Sequence, residues 1–204
     1  MRKFADKPFR LLLTAVVCGM LLVCAGCGSD DAVVSLYDGE TLAYDHPQNG
    51  ASLTLPADWE KLSETDEAVV FADADDTISL TLSRELGGYS YYSTDGLLDM
   101  AADVTAAVLQ EPELLAAAEL RHPDDAVLYS AAGRLAGAAE DSPNAICEAV
   151  VISPLSAVRY HLVVVSEVDQ YAESASMLRE IYASFHLNKT EDEIYEPLHT
   201  TAAE

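Results

Sequence analysis

Three groups of side chains in this 204-residue chain sit where they could do chemistry: two neighbouring thiols, a knot of carboxylates and a run of phenols. Cys24 and Cys27 stand three apart at the end of an apolar run, a position where a thiol can carry a lipid. Asp73-Ala74-Asp75-Asp76 is the best oxygen set for a hard cation, which wants several oxygens from one loop. An EF-hand led by Asp73 would need Gly where Ile78 falls and a terminal Glu, and neither is present. A solvated hairpin turn is therefore the favoured reading, with Asp73, Asp75 and Asp76 kept as the metal candidates. The segment "GGYSYYSTDG", 87–96, sets Tyr89, Tyr91 and Tyr92 beside glycines. Tyrosine is enriched at recognition sites, so these three are the candidate partner-binding residues.

Other chemistry is not signalled. His46, His122, His161, His186 and His199 show no metal-ligand spacing. There is no Gly-x-Ser-x-Gly elbow, no Ser-x-x-Lys and no phosphate-cradling glycine loop. Acids are so frequent that no glycosidase pair stands out. The expectation is a protein with no catalytic residue and no cofactor. Cys147, alone in "AICEAV", reads as a small core residue of a strand.

The elements that would carry these groups begin with a leader. Residues 1–10 hold Arg2, Lys3, Lys7 and Arg10 against Asp6, and 11–25 are apolar or small apart from Thr14. A basic start, a short apolar run and small residues before a cleavage point describe a secretory signal peptide, and a spanning helix would need ~20 apolar residues. "Val23-Cys24-Ala25-Gly26-Cys27" resembles the lipobox of bacterial lipoproteins, with Cys24 where Leu is usual. That resemblance implies cleavage after residue 26, diacylation of Cys27 and anchoring at the outer face of a membrane, since two acyl chains hold stably where one does not.

Cleavage before Cys27 removes 26 residues and leaves 178, with 7 basic against 34 acidic side chains, a net charge of −27. Nucleic acid is excluded as a partner, because its affinity rests on Lys and Arg neutralising phosphates. Anionic headgroups would repel such a chain, so the lipid must hold it. A high like charge favours a soluble monomer, and a cationic partner is its electrostatic complement. With Cys27 acylated, Cys147 has no thiol to pair with, and stability must come from a core. About 150 folded residues bury ~68–70% of their unfolded surface, enough for one unstapled domain.

The expected layout is a signal peptide at 1–26, a tether at 27–40, one folded domain at 41–188 and an acidic, frayed tail at 189–204. Within the domain, "SLTLP" (52–56), "AVVFA" (68–72) and "TISLTLS" (77–83) read as strands, the last alternating without error. Leu97, Ala101, Val104 and Val108 repeat at helical spacing behind Ser93, Thr94 or Asp95 as N-cap. Pro112 breaks that helix or starts another, and "PELLAAAEL" (112–120) reads as helix. Strands follow at 126–138, 145–153 and 157–166. Asp169 then caps a last helix with Tyr171, Ala175, Leu178, Ile181 and Phe185 on one stripe. The class is α+β, an antiparallel sheet with helices packed on it.

"Tyr44-Asp45-His46-Pro47-Gln48-Asn49-Gly50-Ala51-Ser52" with Pro56 and Trp59 resembles the opening of PsbP-like domains. The ending, "RYHLVVVS" (159–166) and then Ile181-Tyr182-Ala183-Ser184-Phe185, resembles theirs as well. The resemblance covers roughly 42–188 and implies an αβα sandwich used for docking rather than chemistry. Trp59 and Phe185 are expected to be buried plugs at element ends. Together these readings describe a lipid-anchored extracytoplasmic lipoprotein, monomeric and non-catalytic, that binds or helps assemble another envelope protein. A ligand- or divalent-cation-binding surface module is the alternative, and a cell-surface hydrolase the third.

Overall fold

A computed structural model of the chain describes residues 39–86, 93–155, 157–190 and 193–194. Its strands are β1 (Thr41–Asp45), β2 (Ala51–Pro56), β3 (Glu60–Glu64), β4 (Ala68–Ala72), β5 (Ile78–Leu86), β6 (Leu109–Glu119), β7 (Asp125–Leu135), β8 (Ala145–Leu155), β9 (Val158–Glu167) and β10 (His186–Leu187). The helices are α1 (Thr94–Val108) and α2 (Val168–Ala183). Seven strands form one antiparallel sheet in the order β3-β4-β5-β9-β8-β7-β6, and β1-β2-β10 form a small second sheet. No described helix is long and apolar enough to cross a membrane.

Successive side chains of a strand point to opposite faces, and β8 shows which layer lies on which side. Ala145, Cys147, Ala149 and Val151 pack beneath α1. Glu148 receives hydroxyls from Tyr171 and Tyr182 of α2 on the other face. Helix α1 starts as its sequence requires: the Ser93 side chain accepts from the Gly96 N–H, and Leu97, Ala101 and Thr105 turn inward. The α2 face is shared with the small sheet, which Tyr44 joins to the large one. Its ring meets Phe71 edge-on at 4.9 Å and its hydroxyl donates to Glu64 at 2.6 Å.

The Tyr44–Gly50 stretch is a tied turn between β1 and β2. His46, buried, accepts at Nδ1 from the backbone N–H groups of Gln48 and Asn49. Tyr160 of β9 donates to the Asn49 carbonyl at 2.5 Å, and Arg84 of β5 donates to that of Gln48 at 3.2 Å. Gly50 has φ +80°, and a Cβ there would lie 3.2 Å from Ile194. Phe185 is buried as expected, stacked between Tyr160 and His122. His122 donates from Nε2 to the Phe185 carbonyl and accepts at Nδ1 from Asp124 N–H, so both ring nitrogens hold structure.

Four expectations are corrected. Residues 112–120 are strand, not helix: Glu113–Glu119 pair in register with β7. Edge pairing outweighs the helix propensity of Leu, Ala and Glu, and Pro112 is tolerated because it falls in the bulge between Gln110 and Glu113. Trp59 is half-buried in the turn after β2 rather than fully buried. Helix α2 begins at Val168 behind Glu167 with no side-chain cap, and Asp169 sits in its first turn, where a carboxylate favours the helix dipole instead. Packing also continues past residue 188: Asn188 N–H donates to the Gly50 carbonyl, and Ile194 is 1% exposed.

Candidate functional site

Helix α1 packs on β6, β7 and β8. Among the described elements no helix packs over the same face of β5, β4 and β3, while Val163 and Val165 of β9 touch the cluster beneath α1. The register places Ser79, Thr81, Ser83 and Glu85 of β5 beside Val165, Val163, His161 and Arg159 of β9. Ala72, Val70 and Ala68 of β4 stand on the other side of the serines and threonine. Most of these are half-buried, although the opposite faces of the same strands are sealed. The result is a shelf about three strand spacings wide, close to 14 Å, with a floor of small and β-branched side chains.

Charge gathers at one end. Helix α1, beyond the shelf, exposes Asp95, Asp99 and Asp103 on the side away from its buried Leu97, Ala101 and Thr105, and contains no Lys or Arg. At the shelf's end His161 is 8% exposed, and its Nε2 donates to Glu85 Oε2 at 3.0 Å. Its Nδ1 is buried without a hydrogen-bond partner. Arg159, 1% exposed, stands opposite Glu85 in the register. Ser83 stands opposite His161, but among the described residues no hydroxyl or thiol is hydrogen-bonded to that ring. The pair therefore lacks the engaged nucleophile that acyl-transfer sites require. What it offers is recognition: a buried ring nitrogen beside the Glu85 carboxylate.

The sequence candidates fall in three places. Cys27, Tyr89, Tyr91 and Tyr92 lie outside the described residues. The ends of the tyrosine segment are described, and both flank the shelf: Leu86 closes β5 opposite Val158, and Ser93 caps α1. Asp73 spends its carboxylate on its own hairpin, accepting from Ile78 N–H at 2.8 Å and from the Thr77 hydroxyl at 2.7 Å. Asp76 turns the hairpin in the left-handed region at φ 56°. Among the described residues no three His, Cys, Asp or Glu side chains are grouped to hold a metal. Cys147 is fully buried, and burial pushes its thiol up to about 11. A second concavity of about 340 Å³ opens beside the α1 N-terminus between Thr94, Leu97, Glu119, His122 and Asp125. Its Thr94 hydroxyl already donates to Glu119.

Sequence reasoning found no metal-ligand spacing at His161 and stopped there. The signal that Glu85, Arg159 and His161 meet lies in the β5–β9 register, which spacing along the chain does not carry.

No family model matches the sequence, and no curated protein matches it. Solved structures do. The Ran-binding protein Mog1p of Saccharomyces cerevisiae superposes with a TM-score of 0.57 at 9% identity, over 74% of this chain and 97% of that one. Cyanobacterial PsbP (CyanoP) of Synechocystis superposes with a TM-score of 0.50 at 14% identity, over 78% and 99%. This chain has the Mog1/PsbP fold. Within that fold the shelf beside α1 is a half-buried sheet face over which no described helix packs.

Proposed function

We propose that this protein is a non-catalytic, extracytoplasmic lipoprotein, tethered through a diacylated Cys27, that docks another envelope protein on the open shelf of its large sheet. The observation that carries the reading is the β9-β5-β4-β3 face, over which no described helix packs, with the buried, unpartnered Nδ1 of His161 at its end. Half-buried Val70, Val163 and Val165 gain by being covered, and small neighbours let a partner's backbone or helix approach closely. A mature charge of −27 favours a basic partner surface. The fold likeness to a Ran-binding protein supports a protein partner in kind and names none.

The test is a photo-crosslinking amino acid at Thr81, compared with one at exposed Glu173 on α2, in the full chain on intact cells of its host. One recurrent envelope protein captured from position 81 and not from 173 is the expected result. Equal capture from both positions, or none from 81 with the protein abundant, sinks the shelf as the docking site. Loss of fatty-acid labelling in Cys27→Ala tests the anchor separately.

A further inference from the structure

The two edges of the large sheet are finished differently. β3 is five residues long and carries Lys61, whose Nζ lies 2.7 Å from Glu64. A short strand bearing a lysine is a guarded edge, one that a stray strand does not readily join. β6, at the other edge, is 11 residues long and contains no Lys or Arg. Its guards stand only in its first half. Pro112 lacks an N–H, Glu111 is held in the left-handed region at φ 49°, and the ladder is interrupted between Gln110 and Glu113 and again between Leu114 and Ala116.

From Ala116 to Glu119 the pairing with β7 runs in step. Leu120 N–H donates to the Ala126 carbonyl at 2.9 Å. Alternation along an antiparallel strand then turns Ala116 and Ala118 toward β7, and the N–H and C=O of Ala117 and Glu119 point out of the sheet. Among the described residues no strand pairs with that side of β6. Ala117, Ala118 and Glu119 are exposed, and the two methyl side chains leave the backbone open to close approach.

Charge says what fits there. Glu111, Glu113 and Glu119 lie along β6. Glu119 also lines the concavity of about 340 Å³ at the strand's end, together with Asp124, Asp125, Leu97, Leu120 and Val127. Carboxylates beside apolar walls suit a side chain with an apolar stem and a cationic head. A second copy of the chain would bring the same glutamates and its own net charge of −24 to this edge. A basic segment of another protein is the electrostatic complement.

We propose that the β6 edge is a strand-addition site. An extended segment of another protein pairs through its backbone with Ala117 and Glu119 and delivers a Lys or Arg side chain to the concavity beside Glu119. In this mode main-chain hydrogen bonds supply affinity and a side-chain pocket supplies specificity. The site does not depend on the shelf, because β6 and β3 close opposite edges of the sheet, and either can fail alone.

The probe is a short peptide of alternating Val and Thr with Lys at both ends, compared with the same peptide ending in Glu. Each is added to the isotopically labelled full chain, and amide hydrogen exchange is followed by NMR. The Lys peptide should slow exchange at Ala117 and Glu119 by about tenfold or more, and added salt should weaken the effect. The Glu peptide should leave both amides unchanged. Ala117→Pro removes an outward N–H and spares the bonds to β7, so it should fold and lose the protection at Glu119. If that variant does not fold, the two peptides on the wild-type chain decide. No response to the Lys peptide, an equal response to both peptides, or protection at Glu119 that survives Ala117→Pro overturns the proposal. So does slow exchange at Ala117 and Glu119 that grows with protein concentration and needs no peptide, which would give the edge to a second copy.

Discussion

On one face of the large sheet Tyr160, Leu162 and Val164 of β9 are each 1% exposed or less, under α2, Phe185 and the small sheet. On the other face Val163 and Val165 of the same strand are only half-buried. These valines are as apolar as their sealed neighbours, so hydrophobicity does not separate the faces. Cover does. The sealed face is closed by long-range polar ties, Tyr160 to Asn49, Tyr182 to Glu148 and Ser184 to Thr54, each spanning dozens of residues of chain. Among the described residues the open face has one such tie, between His161 and Glu85. One face is tied across long stretches of chain, and the other is left with few ties of its own.

The sharpest way to break this comparison is to cut an apolar side chain from each face. Phe185→Ala on the sealed face should cost about 3–5 kcal/mol, the range for emptying a packed aromatic site. Val163→Ala on the open face should cost about 1 kcal/mol, since a half-buried side chain has less transfer energy to lose. Urea denaturation of both variants reads the contrast. Equal losses would mean that the shelf is as sealed as the core.

Next in size is the turn that ties the sealed face together. Gly50→Ala forces a left-handed φ on an L-residue and pushes its methyl toward Ile194 at 3.2 Å. It should destabilise by about 1 kcal/mol or more. A neutral result would show that the turn and Ile194 yield freely, and that the polar ties do not constrain this edge.

Acid sharpens the comparison within the sealed face. The Glu148 carboxyl is raised by burial, so its contribution to stability is complete below the unfolded pKa and is lost as pH rises through the folded one. His46 is depressed, first by burial, so its contribution is present above the unfolded pKa and is lost as pH falls through the folded one. Acidification from neutrality should therefore weaken the turn while it tightens the packing of α2 on the large sheet. Urea midpoints measured against pH should lose the first trend in His46→Asn, which keeps an acceptor, and the second in Glu148→Gln. Superimposable pH profiles for all three proteins would remove both assignments.

How much of this was legible beforehand depends on what each element is buried against. "TISLTLS" alternates because β5 has one sealed and one open face, and the alternation is that difference written in residues. β3, "EKLSE", shows no period because it is exposed throughout and exists only by pairing with β4. β6 reads as helix because its residues favour one, and only β7 alongside makes it a strand. The shelf was invisible for a related reason. Glu85 and His161 lie 76 residues apart, and the uncovered face follows from where α1 stops, after three strands.

The smallest expected effect on stability carries the largest expected effect on docking. Thr81 sits at the centre of the shelf, half-buried, opposite Val163 and Val70, with its side chain away from the sealed core. Arginine there has room to extend over the sheet, and its stem can lie along the valines while the head stays wet. The fold should lose no more than about 0.5 kcal/mol, the usual span for surface changes. A basic partner, however, would meet a cation in the middle of the surface it must cover, and like charge placed centrally costs an interface far more than it costs the free protein. Thr81→Arg should thus melt like the parent and fail to pull down the protein captured from position 81. Thr81→Glu, of similar reach and opposite sign, should keep it. If both variants lose the partner, the shelf is read by shape and the chain's acidic charge is incidental. If neither does, docking lies elsewhere on the domain.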